Sequence, residues 1–250
     1  NSLAGKIKNA INRKFLNTQT GQYDNGTQTA QVFALWYDLV PENEKDKVLK
    51  KLLLEIQKNN GHLSTGIFAT KMLLDVLRTN NLNETAYEIV NKKDFPGWGY
   101  MIDNGATTLW ETWASSDNTY SKNHPMFGSV SEWFYRSLLG INAGSPGFNK
   151  IIIKPQPVSG LTFAKGNYNS VNGYITSDWI INENKFRLNV VIPANSVGEI
   201  WIPAGNDRNI FEGGRSIQQV NDIDLLRKED GYSVFATGSG SYSFEVELGK

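Results

Sequence analysis

The segment NAGSPGFNK, residues 142–150, decides the fold, because the hydrophobic pattern of the chain changes there. Before it, apolar residues recur every three or four positions, as on one face of an α-helix. After it, apolar and polar residues alternate, as in a β-strand with one buried face. The sequence therefore predicts a helical domain at residues 1–142 and a β-sandwich domain at residues 143–250.

Six short helices are predicted in the first domain, joined by short loops that favour antiparallel pairs. The second is entered through Asn25, with Gln28 three residues on, and is stopped by Pro41. The third runs from about Glu42 to Lys58, and the fifth starts at Asn83. The predicted inward residues are, helix by helix, Leu3, Ile7, Ala10 and Ile11; Val32, Leu35, Trp36, Leu39 and Val40; Leu49, Leu52, Leu53 and Ile56; Ile67, Leu73, Leu74 and Leu77; Tyr87 and Val90; and Val130, Trp133, Phe134, Leu138 and Ile141.

Strands are predicted in the second domain, separated by turn signals such as VNGY and PAGND. They form a small all-β sandwich. The predicted strands are IIIKPQP (151–157), YITSDWII (174–181), FRLNVVIP (186–193), GEIWIP (198–203), YSVFATGSG (232–240) and SYSFEVEL (241–248).

The composition of the chain argues against several classes of function. Lys and Arg number 25, as do Asp and Glu, so no basic excess points to nucleic acid. There is no cysteine, and the two histidines, His62 and His124, lie far apart, so we expect no metal site. Nucleotide-binding and serine-hydrolase motifs are absent from the sequence, so we expect no cofactor. No apolar run approaches the roughly 20 residues that a membrane span needs.

The stretch GWGYMIDNGATTLWETW, residues 97–113, contains the candidate site residues. Glu111 lies between Trp110 and Trp113, and His124 follows soon after. Indole rings can stack on the C–H faces of a sugar while a carboxylate binds its hydroxyls. A carboxylate beside large apolar surface loses solvation unless it is paired, so packing alone is a costly explanation. The stretch predicts a sugar site with Glu111 as general base or acid.

Each polar candidate also has a purely structural explanation. Thr108 and Glu111 fit a capping box at a helix start. His124 either contacts a sugar hydroxyl or caps the helix that follows it. Asp103 and Asp117 flank Glu111, and either could be the second carboxylate of a glycosidase pair or a turn former.

The aromatic candidates remain open in the same way. Trp98, Tyr100 and Trp110 are either platforms for a sugar or core aromatics under a loop, and the surrounding glycines favour a binding loop. HLSTGIFAT, residues 62–70, either contacts substrate or caps the fourth helix, with capping favoured.

Six segments, in order along nearly the whole chain, carry a resemblance to a known family: TQTAQVFALWYDLVP (27–41), LSTGIFAT (63–70), GWGYMIDNGATTLWETW (97–113), NHPMFGSVSEWFYRSLLGI (123–141), KIIIKPQP (150–157) and VVIPANSVGEIWIP (190–203). They resemble the C-terminal part of bacterial α-L-rhamnosidases. The resemblance implies an (α/α)6 barrel followed by a β-sandwich and an inverting mechanism.

The resemblance also implies residue roles. The glutamate of the family's ATTLWE motif is the general base, which matches Glu111, and a histidine after it contacts the rhamnose, which matches His124. The family's general acid lies in an acidic motif upstream, which this sequence lacks. Residues 1–142 are also too few for twelve helices of about 11–12 residues each. We therefore expect an incomplete barrel and active site, with apolar helix faces that oligomerisation could cover.

The leading hypothesis is an inverting glycosidase, or a fragment of one, that removes terminal α-L-rhamnose from a glycan or glycoside. Two alternatives stay open: a non-catalytic carbohydrate-binding or scaffold piece, and a helical-barrel glycosidase for a different sugar. We expect no nucleic-acid or membrane partner. The compartment is undetermined: the resemblance favours the periplasm or the exterior, and the cytoplasm is the alternative.

Overall fold

The structure is a computed structural model that describes residues 2–114, 116, 121–204 and 209–248. The chain divides into two compact units, Asn1–Ser131 (the helical unit) and Glu132–Lys250 (the β unit). The predicted order, helices followed by a β-sandwich, is confirmed. None of the helices among the described residues is long and apolar enough to cross a membrane.

The helical unit consists mainly of short α-helices in succession. A small hairpin, β1 (Leu16–Asn17) with β2 (Gln22–Tyr23), follows the first of them. Single 3-10 turns lie at Glu42–Glu44 and Pro125–Gly128. The α-helices are α1 (Ser2–Phe15), α2 (Gln28–Trp36), α3 (Lys45–Lys58), α4 (Ile67–Thr79), α5 (Asn83–Val90), α6 (Trp98–Asp103) and α7 (Ser129–Trp133), the last of which continues past the boundary of the unit.

Two predicted helix starts are wrong by a few residues. The N-cap of α2 is Thr27, whose hydroxyl accepts from the backbone N–H of Ala30 at 3.3 Å. Asn25 instead supports that cap, because its side-chain oxygen accepts from the Thr27 hydroxyl at 3.0 Å. The third helix begins at Lys45, since Glu42–Glu44 forms a 3-10 turn.

The predicted faces of α2, α3 and α4 are buried or half-buried except at Trp36, and α2 packs against both α3 and α4. The face predicted for α1 is wrong, because α1 has no buried residue. In α5, however, Ala86 and Ile89 face the core, whereas the predicted Tyr87 and Val90 are only half-buried. The predicted inward residues that are buried are Val32, Val40, Leu52, Ile56, Leu73, Leu74, Leu77, Val130, Trp133, Leu138 and Ile141. Those that remain exposed are Leu3, Ile7, Ala10, Trp36 and Phe134.

The predicted sixth helix does not run as one α-helix. α7 ends at Trp133, and Phe134–Leu138 forms a π-helical turn. Gly140 then adopts a left-handed backbone with φ of 75°. Ile141 therefore belongs to the first strand of the β unit, where it is buried as a strand residue.

The β unit is a sandwich of two sheets. The first has the strand order β10-β9-β13-β7-β6-β5 and the second β11-β12-β8-β4-β3. All pairs are antiparallel except β4 with β8, which run parallel. The strands are β3 (Ile141–Ala143), β4 (Lys150–Ile153), β5 (Phe163–Ser170), β6 (Gly173–Asn182), β7 (Lys185–Ile192), β8 (Val197–Ile202), β9 (Ile210–Glu212), β10 (Arg215–Ser216), β11 (Ile223–Glu229), β12 (Tyr232–Thr237) and β13 (Gly240–Glu247).

The core of the β unit lies between its two sheets. Ile151 and Ile153 of β4 and Phe186 of β7 are completely buried there. Trp179 is also completely buried, and its indole N–H donates to the backbone oxygen of Leu138 at 2.6 Å. The predicted alternation of apolar and polar residues along these strands therefore corresponds to alternating buried and solvent-facing positions.

The outer face of the five-stranded sheet holds a buried carboxylate. Glu199 is 4% exposed, and its side chain accepts from Arg227 at 2.8 Å and from the Trp201 indole at 3.0 Å. Lys150 Nζ lies 2.6 Å from the other carboxylate oxygen. Burial raises the pKa of Glu199, but the hydrogen bonds from Arg227 and Lys150 outweigh that effect and hold its pKa below the ordinary range.

Candidate active site

Glu111 lies on a loop that is folded against a second segment of the helical unit. Its backbone N–H donates to the backbone oxygen of Ser121 at 3.0 Å, and its side-chain Oε2 accepts from the backbone N–H of Ser121 at 3.2 Å. Residues 106–114, the Glu111 loop, contain no helix. The capping-box alternative for Thr108 and Glu111 is therefore wrong, because there is no helix end to cap.

Two further hydrogen bonds fasten the Glu111 loop to residues 121–124. The Thr108 hydroxyl donates to the backbone oxygen of Lys122. The backbone N–H of His124 donates to the backbone oxygen of Leu109 at 2.8 Å. Glu111 itself is half-buried. The loop thus presents a carboxylate whose orientation is set by backbone groups.

His124 is the N-cap of the 3-10 turn Pro125–Gly128, as its structural explanation predicted. Its Nδ1 accepts from the backbone N–H of Met126 at 3.4 Å. In the neutral ring this role assigns the proton to Nε2. The ring is half-buried. Because the cap uses only Nδ1, the Nε2–H group can donate to another group.

An aromatic cluster forms around Trp113 of the Glu111 loop. The Trp113 ring stacks on Phe127, with centroids 3.8 Å apart and planes at 25°. Trp98 meets Trp113 edge-on at 5.0 Å and donates its indole N–H to the backbone oxygen of Phe127 at 3.0 Å. The Trp113 indole donates to the backbone oxygen of Thr65 at 2.8 Å. Thr65 lies in the segment 62–70 that the sequence singled out, but its contact with Trp113 was not predicted, because the Thr65 backbone makes it.

The other predicted site residues occupy different environments. Trp98 is 7% exposed and Trp110 4%, so both rings are largely covered in this chain. Tyr100 is half-buried and packs edge-on against Phe95 at 5.3 Å. Asp103 is exposed at the C-terminal end of α6. Asp117 lies outside the described residues.

An apolar cleft of about 230 Å³ lies beside the Glu111 loop. Trp98, Met101 and Ile102 line it from α6, and Thr107, Thr108 and Leu109 line it from the loop. It is therefore a small, mainly hydrophobic recess next to a segment that carries a carboxylate.

The loop before α4 is held by buried polar groups. His62 is 6% exposed, and its Nε2 lies 2.8 Å from Asp94 Oδ1 while Nδ1 lies 3.1 Å from the backbone oxygen of Asn59. The hydrogen bond from His62 is the largest influence holding the pKa of Asp94 below its ordinary range.

Gln28 donates to the His62 backbone oxygen at 3.0 Å and accepts from the Ser64 backbone N–H at 2.8 Å. These contacts fix the backbone that receives the Trp113 indole.

The prediction that residues 62–70 cap the fourth helix is wrong. The N-cap of α4 is Gly66, and no side chain caps it. Within the described ranges, no group of three His, Asp or Glu side chains is arranged to hold a metal ion.

Two family descriptions cover most of the chain. Residues 1–138 match the bacterial α-L-rhamnosidase six-hairpin glycosidase domain, and residues 140–216 match the bacterial α-L-rhamnosidase C-terminal domain. An α-L-rhamnosidase of an Alteromonas species is 38% identical over 186 residues, 71% of this chain and 20% of that protein.

Solved structures agree with these matches. The α-L-rhamnosidase from Dictyoglumus thermophilum is 42% identical with a TM-score of 0.90, over 98% of this chain and 28% of that one. The Streptomyces avermitilis α-L-rhamnosidase, solved in complex with L-rhamnose, is 32% identical with a TM-score of 0.90, over 98% of this chain and 24% of that one.

The chain spans 23% and 20% of the length of the curated Streptomyces and Alteromonas relatives. The first of these is 33% identical over 249 residues, which is 96% of this chain. The helical unit and the β unit occur in the order of the two matched domains. This chain therefore belongs to the bacterial α-L-rhamnosidase family.

Proposed function

We propose that this chain supplies part of the active site of an inverting α-L-rhamnosidase, with Glu111 as the general base. The observation that carries the proposal is the placement of Glu111. Its carboxylate is half-buried on a non-helical loop, oriented by the Ser121 backbone, within residues that match a glycosidase domain. A carboxylate held in this way has no capping role to explain it.

In the proposed reaction, Glu111 takes a proton from water as the water oxygen attacks the anomeric carbon. A carboxylic acid on the opposite side gives its proton to the departing glycosidic oxygen, and the bond between that oxygen and the anomeric carbon breaks. The sugar leaves with inverted configuration. We place the acid outside this chain, because the sequence lacks the upstream acidic motif that the resemblance implies.

We propose a terminal α-L-rhamnose as substrate, by analogy with the Streptomyces relative that was solved with L-rhamnose. Its C6 is a methyl group, so one end of the sugar is apolar and suits an aromatic surrounding. His124 would donate through Nε2 to a sugar hydroxyl, since Nδ1 already accepts from Met126. Trp98, Tyr100, Trp110 and Asp103 stay as predicted contacts.

The test is release of aryl alcohol from an aryl α-L-rhamnoside by the complete gene product that contains this chain. Glu111→Gln keeps the size of the side chain and removes the base. We expect kcat to fall by about 10²–10⁴-fold, while rhamnose binding survives. Glu88→Gln is the matched control, because Glu88 is an exposed glutamate on α5 of the same unit.

Each alternative has its own result. Unchanged turnover in Glu111→Gln would eliminate Glu111 as the base. Sugar binding without any turnover by the complete protein would favour a binding or scaffold role. Hydrolysis of an aryl glucoside but not of the rhamnoside would overturn the substrate. Full turnover by the 250-residue chain alone would place the acid within it.

A further inference from the structure

A polar groove of about 750 Å³ crosses the outer face of the six-stranded sheet. It runs over β7 and β13 and ends at the turn between β9 and β10. This volume is within the range of about 300–1,000 Å³ that small-molecule sites occupy. The polar and charged lining of the groove includes Lys185, Arg187, Asn189, Ser243 and Glu245, and Phe211 lies at one wall.

The floor of the groove is set by strand register. Arg187 pairs directly with Glu245 across β7 and β13, and Glu245 pairs with Phe211 on β9. Directly paired residues in antiparallel strands point to the same face of the sheet. Asn189 and Ser243 form the next row, where the serine hydroxyl lies 2.8 Å from the amide oxygen of Asn189. The groove thus presents two rows of polar groups on a rigid support.

The charges in the groove cancel. Lys185 and Arg187 face Glu245 and Glu247, so the lining carries two groups of each sign. Arg187 Nη2 donates to Glu245 Oε2 at 2.7 Å, and Lys185 Nζ reaches Oε1 at 3.3 Å. An anionic ligand would have to compete with a carboxylate that already holds both cations. The arrangement therefore favours a ligand with many hydroxyls and no net charge.

One wall adds an apolar surface. Phe211 lines the groove and is 39% exposed, so its ring is accessible to a ligand there. Beside it, Gly213 and Gly214 form the turn, and an added Cβ at either would meet nothing within 4 Å. A ligand can therefore approach the backbone of the turn and the ring together.

We propose that this groove binds an uncharged oligosaccharide, separately from the Glu111 site. The phenylalanine ring would contact the C–H face of one sugar residue. The amide of Asn189, the hydroxyl of Ser243 and the Arg187–Glu245 pair would exchange hydrogen bonds with sugar hydroxyls. The β unit would then hold a glycan, and this role does not depend on catalysis by the helical unit.

The test is a glycan microarray that contains neutral and uronic-acid oligosaccharides, probed with the full 250-residue chain. Neutral oligosaccharides that bind are then titrated by calorimetry. Phe211→Ala should weaken their binding by about tenfold or more. Phe163→Ala is the matched control, because Phe163 is 54% exposed on the same face of the same sheet and outside the groove. Near-UV circular dichroism establishes that both variants remain folded.

The proposal predicts binding of at least one neutral oligosaccharide that Phe211→Ala weakens and Phe163→Ala does not. It is overturned if the array retains no neutral glycan, if only uronic-acid glycans bind, or if the two variants behave alike. Glu111→Gln and Trp113→Ala, both in the helical unit, should leave this binding unchanged. Loss of binding in those variants, with retention in Phe211→Ala, would assign the glycan to the Glu111 site instead.

Discussion

The indole Nε1 of Trp113 donates a hydrogen bond to the backbone oxygen of Thr65 at 2.8 Å. This bond joins the Glu111 loop to the loop before α4, two segments that are distant in sequence. The Thr65 residue is only 2% exposed, so water cannot easily replace the indole. The bond therefore ties the candidate base to the packed part of the helical unit.

Trp113→Phe removes this donor and keeps a ring against Phe127. We expect the free energy of unfolding to fall by about 1–2 kcal/mol, because a buried carbonyl loses its partner. Trp36→Phe is the control, since the Trp36 indole lies 3.5 Å from Asp75 Oδ2 and Trp36 is 41% exposed. Urea unfolding of both variants measures the difference. Equal losses would mean that the Thr65 bond contributes nothing specific.

The His62–Asp94 pair predicts a pH dependence of stability. The hydrogen bond from His62 holds the pKa of Asp94 below its ordinary range in the folded state. Its stabilisation is therefore present above the unfolded pKa of about 3.9 and is lost as the pH falls through the folded value. Wild type and Asp94→Asn should differ in unfolding free energy at neutral pH and converge below about pH 4. In a His62→Ala background, the same substitution should give a smaller pH-dependent difference, because the largest influence that lowers the pKa of Asp94 is removed.

The two cations at Glu199 should be strongly coupled. Arg227→Met or Lys150→Met alone leaves one cation on the carboxylate and should cost about 1 kcal/mol. Both changes together leave Glu199, whose side chain is 5% exposed, as an uncompensated buried charge and should cost about 3–5 kcal/mol. A double-mutant cycle by urea unfolding measures the excess. Lys185→Met and Arg187→Met should be nearly additive, since their partner Glu245 has a side chain that is 30% exposed.

Gly140 should tolerate no side chain. Its φ is 75°, and an added Cβ would lie 2.1 Å from the backbone carbon of Lys154. Gly140→Ala must move the backbone between the π-helical turn and β3, so we expect a loss of stability of more than about 3 kcal/mol. Gly147→Ala is the control: its φ is 71°, but the nearest atom is 3.9 Å away. It should cost only the left-handed strain of about 1–2 kcal/mol. Thermal unfolding distinguishes the two, and similar costs would show that the close approach does not matter.

Strands and helices with one buried face could be predicted, and edge strands could not. FRLNVVI gives β7 because Phe186, Leu188, Val190 and Ile192 alternate towards the core. β5 and β11 were missed because each lies at the edge of its sheet and exposes most of its residues. Side-chain alternation cannot mark a strand whose two faces are both largely solvated.

At the candidate site, the types of the residues could be predicted from the sequence, but the backbone contacts that hold them in place could not. Gly97 and Gly99 indicated a loop, yet α6 passes through Gly99, where a Cβ would lie 2.5 Å from the Lys92 backbone oxygen. There the glycine permits close packing of a helix. Thr65 and Ser121 act through backbone groups, whose contacts depend on the path of the chain and leave no signature in sequence.

The parallel pairing of β4 with β8 limits when the five-stranded sheet can be completed during synthesis. During synthesis β5, β6 and β7 can pair with one another as they appear, because each neighbours the next in its sheet. β4 has β3 on one side, but its other side stays open until β8 has been made. Ile151 and Ile153 therefore belong to an exposed, aggregation-prone edge until the chain has grown through Ile202. A nascent chain that stalls between Ile192 and Val197 would present that edge to other molecules.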